Sequence, residues 1–376
     1  MLIILLAGVF LAWRLERYIE KKNWEKNLSV EVRFTDASIY EGESSALKEI
    51  VVNDKWLPIP ALEVRLAMSR NLEFAREAKA NSSVTDQSYK RDIFSFLFRQ
   101  QITRTLPFVG KRRGLYTITS ADVVGYGLFF SDSYYVDFPQ QTQLYVYPGQ
   151  VDVNRIRLIC RAVSGMVISR NKLYPDPFEF SGIRDYRKED PMNHINWKAS
   201  ARTGELMVNE YDATTNIQVI LLLDVQDENI LKEEDLVEES IRIASSLSAR
   251  LVRQKMDLVL KSNGRDRSTD ADLAIRQNAG AGRMMELNQK LACLETGRVA
   301  HTGEELILSE AGREHSGCTF VVISKNQTDG VKSALQNLAG RDNQALWVVP
   351  VHPSDDEITW HAPGVTAMRW EVEPWK

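Results

Sequence analysis

Cysteine is scarce in this chain, with only Cys160, Cys293 and Cys318 among 376 residues. They are far apart and odd in number, which argues against a disulfide framework and against a Cys-x-x-Cys metal site, and fits a reducing compartment. No Gly-x-x-x-x-Gly-Lys loop occurs, and Gly280-Ala281-Gly282 lacks the third glycine of a dinucleotide fingerprint, so nucleotide binding has no support. The five histidines are scattered, and only His194 stands near a serine, Ser200, in a polar stretch. Asp190 is the one nominal orienting acid there, and no strained nucleophile elbow surrounds the pair, so a satisfied surface histidine is the better reading. Charge of one sign is missing too: 47 basic against 51 acidic residues leave a net charge of -4, which argues against nucleic acid as a partner.

What is present is enough for two ordinary domains with proper cores, since the chain is 44% hydrophobic and 26% charged. The longest N-terminal apolar run, Leu2 to Trp13, is followed by Arg14, Arg17, Lys21, Lys22 and Lys26. At about 1.5 Å per residue it is short for a hydrocarbon core of roughly 30 Å, although Leu15, Tyr18 and Ile19 extend it. Its charges follow the apolar run instead of preceding it, which is not the layout of a cleaved signal. Residues 1–23 are expected to be a membrane-anchor helix with the remainder cytoplasmic by the positive-inside rule, or else a helix lying in the interface or packed on a domain.

Residues 28–150 read as β. Val30, Val32 and Phe34 alternate with Glu31, Arg33 and Thr35, and further runs occur at Leu62 to Leu66, Leu115 to Ile118 and Leu144 to Tyr147. Frequent Gly and Pro punctuation between short strands predicts an immunoglobulin-like β-sandwich. Lys111 to Arg113 reads as a solvated hairpin end or as a headgroup contact near the anchor. Residues 151–216 form a connector that opens on a helix. From 217 the pattern changes, because Ile217 to Leu223 is a continuous apolar run ending in Asp224, as a buried parallel strand requires. Helical stripes then alternate with apolar strands to the end of the chain, so residues 217–376 are expected to be a doubly wound α/β domain.

Phe178 to Arg202 holds an unusual density of Arg, Asp, Trp, His and Asn. Pro191 breaks its polar run, so a loop is expected. Ile195, Trp197 and Ala199 alternate with polar residues, which predicts a short extended segment with Trp197 inward and Arg202 at its end. Arg184 and Arg202 are placed to clamp Asp185 or Asp190 through bidentate pairs. Such a loop is either purely structural or a surface for a ligand or partner.

Gly182, Arg184, Tyr186, Asp190, Ile195, Trp197, Lys198, Ser200, Ala201 and Arg202 resemble the signature of the bacterial and archaeal family known as domain of unknown function 58. Lys111 to Tyr116, Gly127-Leu128-Phe129 and Tyr147-Pro148 resemble further hallmarks of it. Glu189, Asn193 and Asn196 depart from the pattern, standing where the family has Gly, Arg, and Asp or His. The resemblance implies a von Willebrand factor A-like second domain and a partnership with a MoxR-type AAA+ ATPase. A cation-binding domain of that kind uses Asp-x-Ser-x-Ser for Mg²⁺, whereas this chain has Asp224-Val225-Gln226-Asp227-Glu228, so Asp224, Asp227 and Glu228 form at most a degenerate metal site and no cofactor is expected. The expectation is a membrane-anchored interaction or assembly factor that binds through Arg184, Tyr186, Asp190, Trp197, Lys198, Ser200 and Arg202. The alternative is a hydrolase or cation-dependent enzyme using the same loop.

Overall fold

The computed structural model describes residues 24–74, 83–84, 87–127, 130, 132–173, 180–187, 190–211, 218–229, 231–254, 256–277, 284–313, 318–340 and 343–373. Six residues of the N-terminal segment, Gly8, Phe10, Trp13, Arg14, Arg17 and Tyr18, are described as well. Among the described residues no helix is long and apolar enough to cross a membrane; the expected anchor at 1–23 lies mostly outside them. The chain divides into two units, Met1–Gly149 and Gln150–Lys376.

In the first unit the period-two alternation of the sequence becomes strands with one face buried. β1 (Leu28–Phe34), for example, buries Leu28, Val30, Val32 and Phe34 and exposes the residues between. β2 (Ser38–Tyr40), β3 (Ser44–Asn53), β4 (Ile59–Ser69), β5 (Leu72–Phe74), β6 (Ser83–Val84), β7 (Gln87–Phe96), β8 (Gln100–Gly110), β9 (Gly114–Tyr126) and β10 (Ser133–Tyr147) follow. They form a four-stranded sheet in the order β1-β3-β8-β5 and a six-stranded sheet in the order β2-β10-β9-β4-β7-β6. Side chains from both sheets share one core, including Leu47 and Phe108 from the first and Leu62, Phe96 and Leu144 from the second. A register shift in β10 between Pro139 and Thr142 turns Gln140 toward the other sheet. There its amide accepts from the Val32 N–H and donates to the Val30 carbonyl, both at 2.8 Å, so a buried amide joins the two sheets.

The second unit opens with α1 (Val153–Leu173), whose Ile156, Ile159, Cys160 and Val163 belong to the core of the following sheet; the expected connector helix is therefore part of this unit. A small hairpin comes next: β11 (Phe180–Asp185), a 3₁₀ turn at Met192–His194, α2 (Trp197–Thr203) and β12 (Met207–Tyr211). The remaining elements alternate as β13 (Gln218–Leu223), α3 (Glu234–Arg253), β14 (Asp257–Asp266), β15 (Asp272–Gln277), α4 (Met284–Cys293), β16 (Leu294–Val299), α5 (Gly303–Ala311), β17 (Thr319–Ile323), α6 (Asp329–Ala339), β18 (Gln344–Val351) and β19 (Val365–Glu371).

The sheet runs β15-β14-β13-β17-β18-β19 with β16 also on β14, and β14, β13, β17, β18 and β19 are parallel. β13 is apolar throughout because both its faces are covered. Val219, Leu221 and Leu223 pack under α1, α3 and α4, whereas Ile220 and Leu222 pack under α5 and α6. Its neighbours on either side are β14 and β17, so the strand order reverses at β13 and a crevice is expected outside its carboxyl end. Asp224 is the first residue past that end.

Candidate functional site

The signature residues lie on the hairpin. β11 and β12 pair antiparallel, Asp185 opposite Met207, and the Tyr186 N–H donates to the Leu206 carbonyl. Directly after β11 the chain makes a closed turn. Arg184 donates from both terminal nitrogens to the two oxygens of Asp190, at 2.7 Å each, and the Arg187 N–H donates to the same carboxylate at 2.8 Å. The Arg184 hydrogen bonds first, and the Arg187 N–H second, hold the Asp190 carboxyl down at about 2. Of the two clamps expected, Arg184 to Asp190 forms; Arg202 takes no part in it.

Ile195 is the buried residue here, bridged to Val208. The extended segment expected from Ile195 to Ser200 is instead a helix, and Trp197 is 66% exposed instead of inward. The physical reason is local. Asn196 caps α2 by accepting the Ala199 N–H at 3.0 Å, and its amide donates to Asn209 at 2.7 Å. Gly204, at φ +78°, ends the helix in the left-handed conformation, donating to the Ser200 carbonyl. Between those two stops no β-branched residue occurs until Thr203. The cap and the stop were readable in the sequence; the short apolar alternation obscured them.

Ser200 ties the helix to β12. Its hydroxyl donates to the Asn196 carbonyl at 2.9 Å and accepts the Met207 N–H at 2.8 Å. That geometry makes it a brace, with its single hydroxyl hydrogen already donated. Tyr186 is half-buried. Lys198 and Arg202 are exposed, one helical turn apart on one face of α2, and form no ion pair or hydrogen bond among the described residues. Trp197 stands beside them, and Met192, Leu206 and Ile183 are further exposed apolar side chains of the hairpin.

The second cluster lies past β13. Asp224 is buried, and four protein donors close its carboxylate: Asn263 at 2.7 Å and the Gln226 N–H at 3.0 Å on one oxygen, Ser324 at 2.6 Å and Asn326 at 2.8 Å on the other. Gly303, the first residue of α5, sits so close that a Cβ there would overlap the carboxylate. Asp227 faces the Lys325 ammonium at 2.7 Å, and Glu233 meets the same ammonium at 2.8 Å. Burial pushes Asp227 up, but the Lys325 hydrogen bond and the N–H groups of Glu233 and Asn229 outweigh it and leave the carboxyl below its usual range. Glu228 is exposed. The structure thus does not bring the three carboxylates together as ligands, and their donor set does not fit a divalent cation: one is saturated by neutral donors, one is neutralised by lysine, and one faces solvent. Among the described residues no group of three or more His, Cys, Asp or Glu is placed to hold a metal ion. Lys325, Ser324, Asn326 and Asn263 were not legible as partners of this loop, because they come from other strand ends.

Residues 182–342 match the family model for protein of unknown function DUF58. The DUF58 match begins at the first signature glycine and ends just before β18, covering less than half of the chain. No curated protein matches. Among solved structures, the CARDB domain of a Pyrococcus furiosus protein aligns at 16% identity and TM-score 0.21, over 31% of this chain and 93% of that one. A cohesin from Acetivibrio cellulolyticus, solved with a dockerin, aligns at 13% identity and TM-score 0.23, over 31% and 99%. A PapD-like domain of human CEP192 aligns at 15% identity and TM-score 0.18, over 31% and 86%. Each of these similarities is confined to about a third of the DUF58-matching chain.

Proposed function

We propose that this protein is a membrane-anchored interaction or assembly factor, in which the braced hairpin presents Trp197, Lys198 and Arg202 to a partner protein. The observation that carries the reading is the exposed tryptophan beside two cations without ionic partners among the described residues, on a helix held at both ends. Large aromatics and arginine dominate binding energy at protein interfaces, and a rigid frame lowers the ordering cost of association. The resemblance makes a MoxR-type AAA+ ATPase the partner of choice, acting in complex maturation or at the cell envelope. The anchor is residues 1–23, with the folded units on the cytoplasmic side. The facing sheets of the first unit support an immunoglobulin-like sandwich, and the reversal of strand order at β13 supports a von Willebrand factor A-like second domain whose cation site has been replaced by an internal lysine. Affinity purification of the tagged full chain from solubilised membranes tests the partner. Recovery of an AAA+ ATPase with the wild type and its loss with Arg202→Ala supports the reading, and equal recovery with both contradicts it.

A further inference from the structure

Three loops at one end of the sandwich each carry a large exposed aromatic: Trp56 between β3 and β4, Phe98 between β7 and β8, and Phe130 between β9 and β10. They are 71%, 56% and 62% exposed. The registers Asn53 to Gln100, Ile59 to Phe96 and Ala61 to Tyr126 put all three tips at the same end. Trp56 and Phe98 stack at 6.0 Å, the Arg99 guanidinium lies 4.8 Å over the Trp56 ring, and Leu97 beside them is exposed. Phe130 lies 6.1 Å from Tyr126, which with Trp24 and Tyr134 lines a cavity of about 370 Å³. Lys26, Lys55 and Arg99 also line it, against a single carboxylate, Asp54. Asn27, Arg99 and Phe130 have φ of 55°, 48° and 55°. For residues other than glycine that backbone costs on the order of 1 kcal/mol or more, so the loops hold these shapes against a local preference.

The chain enters the sandwich at this same end. Trp24 stacks on Tyr134 at 5.7 Å, and the Lys55 ammonium donates to the Trp24 carbonyl while lying 5.3 Å from its ring. The chain that carries the apolar run Leu2 to Trp13 therefore enters the first unit at Trp24, at the end that bears the three aromatic tips. Indole and phenyl rings with lysine and arginine among them are the composition of a membrane interface, where rings enter the headgroup zone and cations meet anionic phosphates.

We propose that this end of the sandwich rests on the bilayer, with Trp56, Phe98 and Phe130 in the interfacial zone and the exposed Lys26 and Arg99 against anionic phospholipid headgroups; the proposal rests on the membrane-anchor reading above. It also reassigns the basic hairpin end. Lys111, Arg112 and Arg113 follow β8, whose eleven residues begin at the aromatic end, so at about 3.4 Å per residue they lie at the opposite end of the sandwich. The headgroup contact expected there gives way to the one at Arg99.

The test uses the full chain, reconstituted into vesicles of neutral phospholipid with or without an anionic phospholipid. An environment-sensitive label is attached in a Phe98→Cys variant and, at the far end, in an Arg112→Cys variant; the native cysteines are buried. Flotation reads the anchor, and quenching by bromine-bearing lipids reads the surface. The expected result is co-flotation of both variants, with blue-shifted and lipid-quenched emission at position 98 only. That quenching falls when Lys26→Glu and Arg99→Glu are added or when the anionic lipid is left out. Flotation with the label at position 98 as open to aqueous iodide as that at position 112 overturns this proposal and leaves the anchor standing. Absence of flotation on anionic vesicles overturns both.

Discussion

Arg184 and Asp190 meet through two parallel hydrogen bonds of 2.7 Å each, closing the turn that sets the path of the chain into α2. A guanidinium fork can do this and an ammonium cannot. Arg184→Lys is therefore expected to keep the charge and lose the second bond, with faster amide exchange at Arg187, whose N–H donates to the same carboxylate, and weaker partner capture at unchanged global fold. Because Asp190 is held at about 2, its contribution to stability is full above the ordinary aspartate value of 3.8 and is lost as pH falls through about 2. Unchanged exchange at Arg187 in Arg184→Lys would show that the turn closes without the fork.

Gly303→Ala is expected to destabilise the second unit by about 2 to 4 kcal/mol, since a methyl there displaces the buried Asp224 carboxylate from its donors. Gly182→Ala is the control, having nothing within 4 Å of its would-be Cβ. Chemical denaturation of the two variants measures the difference, and equal midpoints would contradict the account of the Asp224 site.

Lys325→Met removes an ammonium whose side chain is only 4% exposed and leaves Asp227 and Glu233 facing each other. A loss of roughly 3 kcal/mol is expected, since stripping one partner from a largely buried pair strands the remaining charge. A midpoint within error of the wild type would mean that the two carboxylates find solvent or other donors.

Glu49 supplies a pH dependence in the sandwich. It is fully buried on the inward face of β3, beside Asp92 and with the Lys90 ammonium 3.7 Å away. Burial raises its carboxyl from 4.5 to about 7; Lys90 and Arg104 oppose the rise and Asp92 reinforces it. A raised carboxyl contributes stability that is complete below about 4.5 and is lost as pH rises through about 7. Glu49→Gln, neutral at every pH, is expected to abolish that fall, which amounts to on the order of 3 kcal/mol. Denaturant midpoints measured from pH 5 to 8 check it, and parallel pH curves for both proteins would contradict it.

The parts of this fold that were legible in the sequence are those set by local pattern. The alternation Val30, Val32, Phe34 marks β1 and the apolar run to Leu223 marks β13, because period and burial are carried by neighbouring residues. Glu49 shows why the site was harder: its place on an inward face follows from the period of β3, but its partners Lys90, Asp92 and Arg104 come from β7 and β8. Asp224 was visible as the residue after a buried strand. Its donors Asn263, Ser324 and Asn326, 39 to 102 residues away, became visible only once the sheet was assembled. In the hairpin the residue types allowed Arg184 or Arg202 to clamp Asp185 or Asp190 without deciding which pair forms, and the direction of Trp197 turned on whether six residues were strand or helix. Asn196 and Gly204 decided that in favour of the helix.

If α2 is a docking surface, Trp197 is the residue to remove, because so little of the fold depends on it. Trp197→Ala at a 66% exposed position should change unfolding stability by no more than about 0.5 kcal/mol. If the ring is the anchor of an interface, the partner recovered with the full wild-type chain should bind the variant with an affinity lower by roughly thirtyfold, about 2 kcal/mol. Titration of that partner against both proteins gives the answer. An undiminished affinity for Trp197→Ala would contradict the account, and the braced hairpin would then be a structural feature of the second unit instead of its binding surface.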